Sequence, residues 1–300
     1  MAQLAPGPLV MQCEGWDAYR LIDSGAGRKF ESFGPYSFIR PEPQALWQPR
    51  LSQWDADGEF VPGSDEDGGG RWQMVGDMHE QGWELAWKEV RFTAQPTPFR
   101  HLQFFPDMAP VWDWMREQLS GRDDAESMNM FGYTGLGSLA LSRHGRVTHV
   151  DASKKSVAQA RENAALSGME DAPIRWLVDD AAKFTAREVR RERRYDGIIL
   201  DPPKFGRGPK NETWRLEEGL PGLIGDCAQL LDAKSSFLFL TVYAVRMSAL
   251  SLAALLEEKL RHLPGTIEYG DLAVLEEDMG KGAPQRQLPT AIFARWSNSG

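Results

Sequence analysis

The chain is 300 residues long, 42% hydrophobic and 26% charged, which excludes a disordered tail or a disulfide-built miniprotein and supplies core for about two domains. A net charge of −9 provides no overall positive field for non-specific nucleic-acid binding. Cys13 and Cys227 are too few for a disulfide framework or a cysteine-built zinc site, and no apolar run approaches the ~20 residues that span a bilayer. A cytoplasmic protein with no membrane segment is expected.

Residues 1–11 read as a loose start. Residues 12–98 read as a small β-rich module. Short apolar runs at 19–23, 29–33 and 36–40 are punctuated by Gly25-Ala26-Gly27 and Gly34-Pro35, and residues 83–92 alternate as one further strand. Residues 65–70 (Asp-Glu-Asp-Gly-Gly-Gly) read as a polar loop tip. Trp16, Trp47, Trp54, Trp72, Trp83 and Trp87 all fall in this module. They are either an exposed platform for nucleobases or large rings filling a thin core, and packing is the expectation.

From residue 99 onward strands and helices alternate. Strands are expected at 127–131, 147–150, 174–178, 197–200 and 237–241, with two more at 267–274 and 290–296. Helices are expected at 108–119, from the glycine turn through about Arg143, and at 153–166, 181–194, 217–231 and 248–262, with Ser153 as a cap and Gly168 past the end of its helix. Repeating β-α units force a parallel sheet covered on both faces, so residues 99–300 form one α/β domain.

In such a sheet ligands gather at the carboxyl ends of the strands, so the loops that follow strands carry the chemistry. The first is Phe131-Gly132-Tyr133-Thr134-Gly135-Leu136-Gly137, whose spacing, G-x-x-G-x-G, differs from the G-x-G-x-x-G of dinucleotide enzymes. Glycines there let the backbone turn sharply and approach a ligand closely. The second begins at Asp151, placed to accept from ribose hydroxyls, the alternative being a helix-opening residue beside Ser153. The third is Asp179-Asp180-Ala181, where one carboxylate can accept from an adenine amine and the Ala181 N–H can face a ring nitrogen. The fourth is Asp201-Pro202-Pro203-Lys204-Phe205. Two prolines after a strand stiffen the turn and leave the Asp201 carboxylate and the Pro202 carbonyl as fixed acceptors for an amino or ring N–H.

These segments resemble those of class I S-adenosylmethionine-dependent methyltransferases. More narrowly, Asn129-Met130-Phe131-Gly132-Tyr133-Thr134-Gly135, Val150-Asp151-Ala152-Ser153 and Asp201-Pro202-Pro203-Lys204-Phe205 are similar to large-subunit ribosomal RNA methyltransferases acting on cytosine C5 or guanine N7. The resemblance implies a Rossmann-like seven-stranded sheet in the order 3-2-1-4-5-7-6, with an antiparallel last strand at 290–296. It implies S-adenosylmethionine as cofactor, held by Phe131, Gly132, Tyr133, Thr134, Gly135, Asp151, Ala152, Asp180 and Ala181. Phe105-Pro106-Asp107 also resembles a family segment that helps close over the cofactor. Two departures stand out. No RNA-binding PUA module is found, and residues 241–244 (Thr-Val-Tyr-Ala) stand where the cytosine-C5 members carry a nucleophilic cysteine. Methylation at C5 needs a covalent adduct at C6, so a nitrogen or oxygen nucleophile, which needs none, is favoured.

Arg187, Arg190, Arg191, Arg193 and Arg194 read as a solvated face, because their helix ends at the opposite edge of the sheet from the ligand loops. Lys204 and Arg207 follow the Asp-Pro-Pro turn on the ligand edge, with Lys210 and Arg215 beyond, and suit phosphates or a carboxylate; Phe205 between them is a further substrate-side candidate. Tyr243 lies at the same edge and either stacks on a base or packs. The histidines are scattered without metal-ligand spacing; His79 is one, and His149 reads as a packed residue within a strand. The expected function is methylation of a base nitrogen in RNA, ribosomal by resemblance, with Asp201, Pro202 and Pro203 positioning the nitrogen. A small-molecule or protein substrate, or a non-catalytic cofactor-binding scaffold, is the alternative.

Overall fold

Why the chemistry-bearing loops meet is answered by strand pairing in a computed structural model, which describes residues 1–63, 69–76, 82–243, 246–278, 280 and 284–298. Most of the turn expected at residues 65–70 lies outside the described residues, as do His79 and Ala244. The chain divides into two compact units, one of residues 1–11, 111–272 and 291–300, the other of residues 12–110 and 273–290. The sequence-based division at residue 98 follows composition and does not anticipate the segment 273–290 in the second unit.

The first unit is built on a sheet that, among the described residues, has nine strands rather than the seven expected. Near the amino end lie β1 (Gln3–Leu4) and β2 (Leu9–Cys13). The second unit then contributes β3 (Arg20–Gly25), β4 (Arg28–Phe33), β5 (Tyr36–Pro41), β6 (Gly58–Pro62), β7 (Gly70–Met74), β8 (Trp83–Trp87) and β9 (Val90–Ala94) to its own sheets. After α1 (Ala109–Gln118) come β10 (Ala125–Met130), α2 (Leu136–Leu141), β11 (Gly145–Asp151), α3 (Lys154–Leu166), β12 (Ile174–Val178), α4 (Ala181–Arg190) and β13 (Gly197–Leu200). A hairpin of β14 (Phe205–Arg207) and β15 (Thr213–Arg215) precedes α5 (Leu216–Leu230). The chain ends with β16 (Phe237–Tyr243), α6 (Ala249–Leu260), β17 (Thr266–Leu275) and β18 (Gln287–Ser297).

The order across the large sheet is β1-β17-β18-β16-β13-β10-β11-β12, with β2 also on β17. Its seven expected strands keep the order 3-2-1-4-5-7-6, and β18 is antiparallel to β16. The two additional strands correct the reading of residues 1–11 as loose. Gln3 and Leu4 pair in parallel with Thr266 and Ile267. The Leu9 carbonyl passes so close to Gly270 that a Cβ there would sit 1.7 Å from it. Local sequence carries no signal for a partner that far along the chain.

Helix capping follows the side chains at each start. Ser153 accepts from Ser156 N–H at 3.2 Å, Asp180 from Lys183 N–H at 2.9 Å, and Ser248 from Leu250 N–H at 3.2 Å. The core on one side of the sheet is the apolar stripe of α4, α5 and α6, including Phe184, Leu220, Ile224, Leu252 and Leu256, against Met128, Ile198, Leu238 and Leu240.

In the second unit the order is β3-β4-β5-β6-β7, with β8 and β9 as a separate hairpin. Residues 83–92, expected as one strand, fold back at Lys88 (φ 51°), so Trp87 pairs with Val90. The six tryptophans are buried or half-buried. Five indole N–H groups are bonded, that of Trp54 to the Asp23 carboxylate at 2.9 Å and that of Trp83 to the Phe33 carbonyl at 2.9 Å among them. They fill a thin core and form no exposed platform.

Under β4 and β5 lies a buried ion pair. Arg40 Nε and Nη2 donate to the two oxygens of fully buried Glu31 at 2.7 and 2.8 Å, and Tyr19 Oη donates to Glu31 at 2.8 Å. Burial alone raises the Glu31 pKa, and Arg40 and Lys29 bring it below the ordinary carboxylate value. Replacing Arg40 by Leu leaves that buried carboxylate only Tyr19 and Lys29, 3.7 Å away, and chemical denaturation should read a loss of about 3 kcal/mol in this unit.

Candidate functional site

Parallel pairing brings the strand ends together. Met130 pairs with Val150 on one side and Leu200 on the other, Asp151 pairs with Val178, and Leu200 pairs with Leu240. Neighbouring strands lie about 4.8 Å apart, so the loops beginning at Phe131, Ala152, Asp179 and Asp201 emerge side by side at one rim. All of them belong to the first unit.

The glycine loop is strained and internally tied. Phe131 and Tyr133 take φ values of 57° and 48°, and Gly135 takes 86°. Gly132 N–H donates to the Val150 carbonyl at 3.1 Å, and Gly135 N–H to the Gly132 carbonyl at 3.0 Å. Thr134 is buried, and its carbonyl accepts from Asn163 Nδ2 of α3 at 2.9 Å.

These glycines are demanded from below. A Cβ on Gly132 would lie 2.5 Å from Cε1 of His149, and one on Gly135 would lie 2.7 Å from Cβ of Ala160. Beside the sharp turn and close approach expected of them, the packing beneath the loop already requires these glycines.

Asp151, half-buried, joins two loops. Its Oδ2 accepts from Tyr133 N–H at 2.9 Å and its Oδ1 from Ser153 N–H at 2.8 Å. Burial raises its pKa, and the two backbone donors act in the opposite direction. Its backbone carbonyl takes Asp179 N–H at 3.0 Å, linking the third loop as well. Ala152 beside it is half-buried.

The two aspartates of the third loop separate by their bonds. Asp179 accepts from Asp180 N–H through Oδ1 and holds Arg187 through Oδ2. Arg187 thus turns back toward the rim, whereas exposed Arg191 pairs with buried Glu188 at 2.8 Å and exposed Arg193 lies 3.7 Å from Glu126. Asp180 commits Oδ1 to capping α4 above buried Ala181.

In the fourth loop Asp201 N–H points to the Met130 carbonyl at 3.4 Å, Pro202 is buried, and Pro203, Lys204, Phe205 and Arg207 are exposed. The hairpin that follows was not foreseen, although Gly206, Gly208, Pro209 and Asn211 within twelve residues are turn formers. Trp214 anchors it, its indole N–H donating to the Pro203 carbonyl at 2.7 Å and its ring lying 5.2 Å from that of Phe131. Tyr243 ends β16 three residues past the rim level set by Leu240, about 10 Å further along the strand direction.

Beneath the glycine loop His149 is fully buried. Its Nδ1 lies 2.9 Å from Ser138 Oγ, which also accepts from Asn129 Nδ2 at 3.0 Å, and its ring lies 4.8 Å from Trp176. Burial, aided by the charge of Arg161, pushes its pKa down to about 3. Between about pH 3 and 6.5 the unfolded chain binds a proton at this residue that the folded chain does not. Stability should therefore fall as pH drops below 6.5, by up to about 1.4 kcal/mol per unit from this group. Denaturation midpoints against pH should show a shallower acid limb for His149→Gln.

The chain resembles proteins of known structure along nearly its whole length. The crystal structure of an S-adenosylmethionine-dependent methyltransferase from Agrobacterium tumefaciens is 38% identical, is covered over 99% of this chain and 96% of that one, and superposes with a TM-score of 0.92. The ribosomal RNA large subunit methyltransferase I of Alteromonas mediterranea is 37% identical over 84 residues, 27% of this chain and 21% of that protein. The K/L enzyme of Shewanella frigidimarina is 25% identical over 148 residues, 47% of this chain and 20% of that protein. The matches thus span about a fifth of the length of these curated relatives. Residues 66–239, more than half of the chain, match the S-adenosylmethionine-dependent methyltransferase family, to which this protein belongs.

Proposed function

We propose that this protein methylates a base nitrogen in RNA, ribosomal RNA being the class named for its curated relatives. The observation that carries the reading is the Asp201-Pro202-Pro203 turn, which leaves β13 directly beside the glycine loop of β10.

The residues present fit the cofactor. A carboxylate offers about four lone-pair sites, and the two backbone bonds to Asp151 leave acceptor capacity for ribose hydroxyls. Asp180 Oδ2 has no hydrogen bond among the described residues, whereas both oxygens of Asp179 are engaged. Asp180, with the Ala181 N–H, is therefore the better partner for adenine. Phe131, Gly132, Tyr133, Thr134, Gly135 and Ala152 line the remainder. When bound, S-adenosylmethionine supplies a methyl carbon already activated as a sulfonium.

The work left to the protein is alignment and desolvation. The Asp201 carboxylate and the Pro202 carbonyl hold the N–H hydrogens of the substrate nitrogen, and Pro203 keeps the turn rigid, so that the lone pair faces the methyl carbon. Lys204, Phe205, Arg207 and Tyr243 flank this point from the substrate side. A cytosine C5 target is disfavoured, because it needs a thiolate at the rim. Cys227 is fully buried in α5 and Cys13 lies in the second unit, both with thiol pKa values pushed up by burial.

Radiolabelled methyl transfer to total RNA, a protein extract and a small-molecule pool tests the substrate class. Label confined to protein or small molecules overturns the RNA reading, and binding without labelling indicates a scaffold. Asp201→Ala should bind S-adenosylmethionine within a few-fold of the parent by calorimetry, yet lose about 100-fold or more in turnover. Asp151→Ala should instead lose cofactor affinity.

A further inference from the structure

The β14–β15 hairpin has two distinct faces. Phe205 pairs with Arg215 and Arg207 with Thr213, while Gly206 pairs with Trp214 between them. Directly paired residues share a face and successive residues alternate. Phe205, Arg207, Thr213 and Arg215 therefore form one face, and all four are exposed, Phe205 at 54%. Gly206 and Trp214 form the other, with Trp214 buried.

The hairpin is held at base and tip. At the base are the bond from Trp214 to the Pro203 carbonyl and a bond from Leu216 N–H to the Lys204 carbonyl at 3.0 Å. Gly219 makes room for the indole, since a Cβ there would lie 2.6 Å from Trp214 Cζ3. At the tip, Glu212 accepts from Lys210 N–H at 2.8 Å and from Lys183 Nζ in the first turn of α4 at 2.7 Å. The Lys183 bond leads the effects that hold the Glu212 carboxyl down at about 2. The exposed face is thus presented by a fixed element that reaches from the Asp-Pro-Pro turn to the adenine-side loop.

Residues 204–215 carry Lys204, Arg207, Lys210 and Arg215 against the single acid Glu212, in a chain whose net charge is −9. Arg215 is paired with Glu218 at 3.2 Å, but both side chains are exposed, so that contact yields readily to a phosphate. An exposed ring between guanidinia matches the chemistry of an unstacked nucleobase with its flanking phosphates. Base-paired RNA would offer phosphates but no free face for Phe205.

We propose that the outward face of this hairpin, formed by Phe205, Arg207, Thr213 and Arg215, binds single-stranded RNA by stacking a base on Phe205 and holding neighbouring phosphates with the two arginines. The inference rests on the RNA reading above and assigns its strandedness and its contacts. Trp214 is a positioning residue, keeping that face next to the Asp201 turn.

The test is fluorescence anisotropy of a labelled single-stranded RNA, beside methyl transfer to total RNA and calorimetry with S-adenosylmethionine. Phe205→Ala should weaken RNA binding about 10-fold and Phe205→Tyr should restore most of it. The Arg207→Ala, Arg215→Ala double variant should reduce the slope of log affinity against log salt by ~1.4. Cofactor affinity should stay within twofold in all variants, which also reports folding. Unchanged RNA affinity with intact methyl transfer to RNA overturns the hairpin assignment alone. Duplex RNA or polyglutamate competing as well as the single strand also overturns it. A parent protein that methylates no RNA overturns the substrate reading and the hairpin assignment with it.

Discussion

The carboxylate of Asp151 is the point on which the rim depends. Two backbone N–H groups from two different loops, those of Tyr133 and Ser153, converge on its two oxygens. Both bonds need an acceptor, so the loop geometry favours the ionised side chain even though burial opposes it. Its own carbonyl then fixes the third loop through Asp179 N–H. One residue at the end of one strand therefore sets the spacing among three of the four loops. The fourth is set independently, by the pairing of β13 with β10.

Below that carboxylate the support is polar and closely packed. Asn129, Ser138 and His149 form a buried hydrogen-bonded row, and the imidazole occupies the space that any side chain at Gly132 would need. A neutral imidazole suits this place, since a charged ring would be stranded away from water. Above it the carboxyl residues Asp151, Asp180 and Asp201 follow or end neighbouring strands at one rim. Such a surface suits a ligand rich in hydroxyl and amino hydrogens.

Much of this was legible in the sequence because it is local. The helix starts at Ser153 and Ser248 follow from side chains that compete for backbone N–H groups, and the five central strands follow from short apolar runs ahead of turn residues. The loops around Asp151 and Asp201 could be placed at one rim because parallel β-α units leave no other arrangement. What escaped was non-local or contrary to residue preference. β1 finds its partner more than 260 residues away. The reversal at Lys88 uses a positive φ at a lysine, where glycine or asparagine would have signalled it. The difference between Asp179 and Asp180 comes from Arg187 reaching back two helical turns, whereas its place in the arginine-rich run pointed to a solvated face.

The parallel pairing of Gln3 and Leu4 with Thr266 and Ile267 also dictates an order of events during synthesis. The residues that complete this border of the sheet are translated more than 260 residues ahead of their template. Until residues 266–275 leave the ribosome, β1 and β2 have no strand to pair with, and their backbone N–H and C=O groups stay open to chaperones. Maturation of this enzyme therefore depends on a join between segments far apart in the chain rather than on local folding alone.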